Sequence, residues 1–237
     1  MLASSSQLLQ VTTPFSTVLH FPTPILPRHW SNNSPMSETV VYHYLDLGRL
    51  GRGEVVNLFL RDAGLDFKTV RYAYDSTWPA TKEKLREQGL SPTGLLPIIE
   101  YKGTKLSQHI PILRYLSREL GGYDGETSYE KYIVDQAADL YIDWRAAWVA
   151  SLGDASDDYK NKIVPQYYAL VAKYYAESKG PYLLGDKISY TDFAVFQSID
   201  NERRTETLPD NLPESLQKLV DAMNERPKIA AFIRETA

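Results

Sequence analysis

The segment Leu95-Leu96-Pro97 places a proline where a short apolar strand begins. Proline has no N–H, and it holds the residue before it in an extended conformation. We expect a bend with a cis peptide bond at this proline, leaving the backbone N–H and C=O of Leu96 facing outward. Such an edge can pair with an extended peptide as though the peptide were one more strand. The alternative is an ordinary proline that only starts a strand.

A second candidate binding feature lies eleven residues further on, where Gln108-His109 stands before an amphipathic helical pattern. The N-terminus of a helix attracts a carboxylate, because its backbone N–H groups are unpaired and the helix dipole is positive there. A nucleotide is a poorer match. Gly48, Gly51 and Gly53 do not have the spacing of a dinucleotide fingerprint, and no acidic residue is suitably placed after them.

Composition narrows the chemistry further. The 237-residue chain has no cysteine, which excludes a disulfide, a thiolate metal site and a nucleophilic protein thiol, so any thiol must come with a ligand. None of the four histidines is paired at the spacing of a zinc site, and we expect no metal. A net charge of -4 and a pI near 5.6 give no general attraction to nucleic acid or to a membrane surface. A small molecule is the expected partner.

These residues are positioned by an alternation of strand and helix patterns. β-Branched and aromatic runs predict strands, and apolar residues at helical spacing that stop at glycines predict helices. The order is strand, helix, strand, helix, strand, strand, helix, over residues 40–45, 55–63, 67–72, 78–87, 95–101, 104–106 and 110–120. This β-α-β-α-β-β-α order predicts an α+β thioredoxin-like domain, in which helices cover both faces of a small mixed sheet.

The chain changes character after residue 123. Residues 128–236 show helical patterns throughout, which predicts an all-α C-terminal domain. Within it, the sequence Ser189-Tyr190-Thr191-Asp192 is a capping box before an apolar helix, with a role in folding and none in the reaction. The expected domains are therefore 38–122 and 128–237.

Residues 1–37 are expected to lie outside both domains, as a disordered or targeting extension. Residues 1–35 are rich in Ser, Thr and Pro, and Arg28 is their one basic residue. A mitochondrial transit peptide would carry several arginines on an amphipathic helix, so the targeting signal is weak, and the sequence does not decide between the two interpretations. We expect a cytoplasmic protein.

Several of these segments together resemble the glutathione site of the cytosolic glutathione transferases, especially the tyrosine-using Sigma, Pi and Alpha classes. They are residues 44–54, Trp78-Pro79, Leu95-Leu96-Pro97 and Gln108-His109. The resemblance extends over about residues 40–232. It implies a thioredoxin-like domain that binds glutathione as cosubstrate and a helical domain that binds the second substrate.

The resemblance also implies roles for individual residues. Tyr44 would donate its hydroxyl to the glutathione sulfur, and Tyr42, two residues earlier on the same strand face, is the alternative. Arg52 matches the second arginine of the family's Arg-Gly-Arg turn and would lie under the tyrosine. The other implied glutathione contacts are Trp78, Leu95, Leu96, Pro97, Gln108 and His109, with Asp139 reaching across a homodimer.

Two of these positions depart from the family pattern. His109 stands where a serine usually receives the γ-glutamyl carboxylate, and it is a larger donor whose charge depends on pH. Leu95 stands where a lysine often contacts the glycyl end of glutathione. Both changes predict weaker glutathione binding or an altered thiol ligand.

The second substrate is expected to meet the helical domain. Tyr141, Arg145 and Trp148 form a stripe at helical spacing and are candidates to line its pocket. We therefore expect a glutathione transferase that adds the glutathione thiolate to a small hydrophobic electrophile, in detoxification or secondary metabolism. The resemblance implies a homodimer. A non-catalytic binding or regulatory relative and a specialised biosynthetic enzyme are the alternatives.

Overall fold

The computed structural model describes residues 39–236, so the expected extension, residues 1–37, lies outside the described residues. The first half of the described chain alternates strands and helices, and the second half is helical. In chain order the elements are β1 (Val40–Leu45), α1 (Arg52–Asp62), β2 (Phe67–Tyr72), α2 (Trp78–Glu87), β3 (Ile98–Tyr101), β4 (Thr104–Ser107), α3 (His109–Leu120), α4 (Ser128–Ser151), a π-helical turn (Tyr159–Ile163), α5 (Val164–Ala176), α6 (Tyr190–Arg204), α7 (Glu214–Glu225) and α8 (Pro227–Glu235).

The four strands form one mixed sheet in the order β2-β1-β3-β4. β1 runs parallel to β2, with Val40 opposite Phe67, and antiparallel to β3, with Val41 opposite Glu100. β3 and β4 form an antiparallel hairpin. Parallel strands need a crossover, and α1 supplies it between β1 and β2. The predicted thioredoxin-like half is confirmed.

The third strand is shorter than the sequence pattern predicts, because β3 begins at Ile98 and not at residue 95. The peptide bond between Leu96 and Pro97 is cis, as expected. Pro97 has no N–H to contribute to the ladder, so regular pairing starts only after it. The prediction of a strand from residue 95 was therefore wrong by three residues at its beginning.

Helix α1 joins the two halves of the described chain. Every residue from Gly53 to Leu60 is buried, whereas a surface helix would bury a single stripe. α1 contacts β1 and α3 on the sheet side, and α6 and α8 on the helical side. The Phe59 ring lies 5.4 Å from the Phe193 ring of α6, measured between centroids. A helix enclosed in this way holds its N-terminus in a defined place.

The predicted all-α second half is confirmed, and α6 is its central helix. The run from Tyr190 to Glu202 is buried without interruption. The predicted capping box is also present: the Asp192 carboxylate accepts the N–H of Ser189 at 2.6 Å and the N–H of Leu183 at 2.9 Å. Between residues 39 and 236, no helix has the length and apolar character needed to cross a membrane.

Candidate functional site

Tyr44, at the end of β1, lies directly on the N-terminus of α1. Two glycines make this contact possible. A Cβ atom added to Gly51 would lie 2.5 Å from the Tyr44 hydroxyl oxygen, and one added to Gly53 would overlap the Tyr44 ring. Gly51 also has a φ of 85°, in the left-handed region that side chains disfavour. Gly51 and Gly53, which do not have the spacing of a nucleotide-binding motif, therefore leave space for the Tyr44 side chain.

The surroundings of Tyr44 leave its hydroxyl proton available. Its side chain is only 3% exposed, and this burial raises the pKa of the phenol. The nearby Gly53 backbone N–H and the charges of Arg145 and Arg52 lower the pKa in part. The Tyr44 hydroxyl makes no hydrogen bond to any residue between 39 and 236, so its proton is free to be donated to a ligand.

Arg52, the first residue of α1, connects Tyr44 with the bend before β3. Its Nε donates to the Leu96 carbonyl oxygen at 3.0 Å. The Leu96 side chain is buried, and its backbone N–H donates to no other described residue. Leu95 is 38% exposed beside it. The structure thus leaves the N–H of Leu96 open to an added strand, while Arg52 already occupies its C=O.

His109 opens α3, and Gln108 precedes it with a φ of 70°. Gln108 is exposed, whereas His109 is 3% exposed, and neither ring nitrogen of His109 has a hydrogen-bond partner. Burial, followed by the charges of Arg52 and Arg145, lowers the pKa of His109 well below its usual value. The ring is therefore neutral at physiological pH.

α4 completes the cluster with Tyr141 and Arg145, which stand one turn apart on one helix face. The Tyr141 ring lies 5.5 Å from the His109 ring in an edge-to-face arrangement. The Tyr141 hydroxyl and Arg145 Nε are buried without hydrogen-bond partners. Arg145 is near enough to lower the pKa of Tyr44, Arg52, His109 and Tyr141. Five of the expected site residues thus meet: Tyr44, Arg52, His109, Tyr141 and Arg145.

Three other expected residues lie apart from this cluster. Trp78 begins α2, and its ring packs 6.1 Å from that of the exposed Tyr74. Trp148 is buried in the helical half, where its indole N–H donates to Thr205 at 3.1 Å. Asp139 is exposed on α4. Among residues 39–236, no hydrogen bond or ring contact joins these three side chains to Tyr44.

The alternative tyrosine, Tyr42, has different surroundings. It is completely buried, and its hydroxyl has no hydrogen-bond partner. The Arg71 guanidinium lies over its ring, 5.6 Å from the centroid, and the Phe67 ring is 6.3 Å away. Burial and then the charge of Glu54 raise its pKa well above the usual value. Both tyrosines lie near Arg71 and Glu54, since the Arg71 guanidinium is also 5.9 Å from the Tyr44 ring centroid, but Arg52 and Arg145 lower the pKa of Tyr44 alone of the two.

Three residues of α6 hold the loop before α1, and none of them was predicted from the sequence. Arg49 Nη2 donates to the Asp200 carboxylate at 3.2 Å, and the Gly51 N–H donates to the Asn201 side-chain oxygen at 3.0 Å. Gln197 Nε2 donates to the Arg49 carbonyl oxygen at 2.7 Å. The only sequence signal was a run of polar residues inside an otherwise apolar helix, which cannot identify partners 150 residues away.

The chain is similar to known glutathione S-transferases in sequence and in structure. A family model described as "Glutathione S-transferase, C-terminal domain" matches residues 142–236. Glutathione S-transferase 1 of Ascaris suum is 30% identical over 205 residues, which are 81% of this chain and 94% of that protein. The Pi-class glutathione S-transferase of Onchocerca volvulus has a TM-score of 0.72 and 26% identity, over 83% of this chain and 92% of that one.

A third similar structure is a glutathione S-transferase of the hookworm Necator americanus, described as monomeric. It has a TM-score of 0.68 and 24% identity, over 84% of this chain and 98% of that one, and so it supports the fold alone. The Ascaris relative establishes the family, because the match extends over nearly the whole length of that protein. The position of Tyr44, at the end of β1 and against the N-terminus of α1, agrees with these matches. Together they show that the chain belongs to the glutathione S-transferase family.

Proposed function

We propose that this glutathione transferase joins glutathione to a small hydrophobic electrophile, with Tyr44 stabilising the glutathione thiolate. The observation that supports this role most directly is the state of the Tyr44 hydroxyl. It makes no hydrogen bond to any residue between 39 and 236, so its proton is left for an acceptor that arrives with a ligand. The chain has no cysteine, and the sulfur therefore comes from glutathione.

The chemical task is to make a thiolate at neutral pH. A free thiol has a pKa of about 8.5, and each unit by which a site lowers it corresponds to about 1.4 kcal/mol. A hydrogen bond from Tyr44 favours the anion, and the positive N-terminus of α1 and the charge of Arg52 act in the same direction. Because burial raises the pKa of Tyr44, the phenol stays protonated and remains a donor.

The thiolate then attacks an electrophilic carbon of the second substrate. A carbon–sulfur bond forms, and the leaving group departs with the bonding electron pair, while the thiol proton passes to solvent. With a conjugated carbonyl compound, the electron pair moves to the carbonyl oxygen instead, and a proton is taken up afterwards. In neither case does the protein need a nucleophile of its own.

The remaining expected residues have binding roles in this proposal. The cysteinyl backbone of glutathione pairs with Leu96 beside cis-Pro97, and Gln108 with the start of α3 receives the γ-glutamyl carboxylate. Trp78 and Leu95 contact the glycyl end. The side chains of Tyr44, His109 and Tyr141 are at most 3% exposed, so the ligand enters past the half-buried Arg52 and Arg145.

Replacing Tyr44 with phenylalanine tests the proposal. We expect kcat/KM for conjugation of 1-chloro-2,4-dinitrobenzene to fall about tenfold to a hundredfold near pH 6.5, since each lost unit of thiol pKa depression costs about tenfold. The loss should shrink near pH 9, where the thiol ionises unaided. Tyr42→Phe is the matched control, because it removes a buried hydroxyl that has no partner. Equal pH–rate profiles for wild type and Tyr44→Phe would refute the role.

We also propose that the chain forms a homodimer in which Asp139 contacts glutathione bound to the second subunit. Asp139 supports this because it is exposed on α4 and has no ion pair within residues 39–236. Light scattering should give about twice the chain mass, and Asp139→Asn should weaken glutathione binding in titration calorimetry. A monomeric protein whose Asp139→Asn variant binds glutathione as tightly as wild type would contradict the assembly proposal and leave the role of Tyr44 standing.

A further inference from the structure

Two arginines of the site lack a carboxylate partner. Arg52 donates to the Leu96 carbonyl oxygen, and Arg145 Nε has no hydrogen-bond partner. In the described part of the chain, neither guanidinium forms an ion pair with an aspartate or a glutamate. The two positive charges are close enough for Arg145 to lower the pKa of Arg52, after the larger effect of burial. A site with two unneutralised cations favours an anionic ligand.

Polar groups around Arg145 are also without partners. Tyr141 stands one turn before it on the same face of α4 and is completely buried. Its hydroxyl has no partner, and neither has either nitrogen of His109, whose ring is 5.5 Å from the Tyr141 ring. Leaving buried donors unpaired is costly, and a ligand that accepts hydrogen bonds from them would remove that cost.

We propose that the electrophile carries a carboxylate, which binds Arg145 and the Tyr141 hydroxyl on α4 while the reactive carbon faces Tyr44. This inference rests on the proposed function, and it names the substrate class of that site. α4 belongs to the helical half of the described chain, whereas Leu96 and its peptide edge belong to the sheet half. Glutathione also carries carboxylates, which have the same charge and the same hydrogen-bond acceptors. The experiment therefore distinguishes a carboxylate of the electrophile from a carboxylate of glutathione.

The test uses a matched pair of unreactive probes, 3-(3-nitrophenyl)propanoate and its primary amide. They differ in charge and hardly in shape. The full chain is titrated with each probe by calorimetry near pH 7, with and without saturating S-methylglutathione, which fills the glutathione site but cannot react. We expect the acid to bind about tenfold more tightly than the amide in both conditions, because hydrogen bonds to charged groups exceed neutral ones.

Variants assign the preference to Arg145. Arg145→Gln should bring the acid-to-amide affinity ratio close to one, and Arg145→Lys should keep part of the preference because the charge remains. Arg234→Gln is the control, since it removes one positive charge from an exposed position of α8. Circular dichroism of each variant checks that the fold is retained, and the ratio within one variant cancels general losses of affinity.

Three results would overturn the inference. They are equal affinities for acid and amide, a preference that survives in Arg145→Gln, and a preference that S-methylglutathione abolishes, which would assign the carboxylate site to glutathione. The proposed function fails separately, if S-methylglutathione gives no binding heat of its own. In that case the titrations without S-methylglutathione still decide whether Arg145 selects a carboxylate.

Discussion

His109 is one of the two residues at which this chain departs from the glutathione site that it resembles. The sequence predicts a donor whose charge follows pH. In the structure the ring is buried beside Tyr141 of α4, with Arg52 of α1 and Arg145 of α4 near it, and its pKa lies well below the usual value. Burial and two positive neighbours therefore favour the neutral imidazole, and the part of His109 in glutathione binding stays a prediction.

The buried His109 makes stability depend on pH. In the unfolded chain the imidazole takes up a proton below about pH 6.5, whereas in the native state it stays neutral to a much lower pH. The unfolded state therefore binds more protons in acid, and stability falls as pH drops below the unfolded pKa. His109→Asn should remove about 1.4 kcal/mol of this loss per pH unit below about pH 6.5.

Urea unfolding of wild type and His109→Asn between about pH 7.5 and pH 5 measures this difference. Packing changes caused by the substitution shift the two stability curves by a constant amount, whereas the lost titration changes their relative slope. Buried carboxylates such as Glu54 and Asp192 titrate in both proteins and cancel in the comparison. Parallel curves would show that His109 can be protonated in the folded protein.

At the scale of an element, the N-terminus of α1 is where local preference and packing disagree. Glycine is unfavourable inside a helix, and alanine at Gly53 would by itself favour α1 by about 1 kcal/mol. The added Cβ would overlap the Tyr44 ring, however, and α1 is too enclosed to move aside. Packing therefore outweighs propensity at this position.

We expect Gly53→Ala to lower the free energy of unfolding by about 1–3 kcal/mol, the usual cost of overpacking. It should also reduce kcat/KM for conjugation, because Tyr44 is displaced from the helix N-terminus. Gly122→Ala is the control, since its added Cβ meets nothing within 4 Å. Urea unfolding and a haloarene assay measure both effects. A Gly53→Ala protein as stable and active as wild type would contradict the close approach of Tyr44.

At the scale of the whole described chain, α6 holds the loop that positions Arg52. The ion pair between Arg49 and Asp200 is buried, with side-chain exposures of 7% and 8%. Asp200 has a second partner in Arg204 at 2.8 Å, whereas Asp200 is the only carboxylate paired with Arg49 among residues 39–236. Removing the Asp200 charge therefore leaves Arg49 without a carboxylate, whereas removing the Arg49 charge leaves Asp200 paired with Arg204.

We expect Asp200→Asn to lower the free energy of unfolding by about 3 kcal/mol, because it leaves the Arg49 charge buried and unpaired. Arg49→Met should cost less, since Asp200 keeps Arg204. Both substitutions should loosen the loop before Arg52, and we therefore expect both to raise the KM for glutathione. Lys218→Gln is the control, because it breaks an exposed pair with Glu214. Equal costs for the two buried substitutions, measured by urea unfolding, would contradict this account.

The family, the fold and the transferase class were all predictable from sequence. The thioredoxin-like half, the helical half and membership of the glutathione transferases are confirmed. The domain limits and the roles of single residues stay predictions. The α6 anchors of the loop were not predicted, because hydrogen bonds between residues 150 apart leave no periodic pattern in either segment.

The local sequence determined where the helices and strands form and which residues could bind a thiol peptide. Hydrophobic spacing, glycines and Pro97 have this effect because they act on their immediate neighbours in the chain. The packing of distant segments decided the rest. It buried His109 of α3 against Tyr141 of α4, brought Arg145 near Tyr44, and left Arg52 and Arg145 without a carboxylate among residues 39–236. Burial and charge are properties of surroundings that distant segments supply, so only the folded chain defines them.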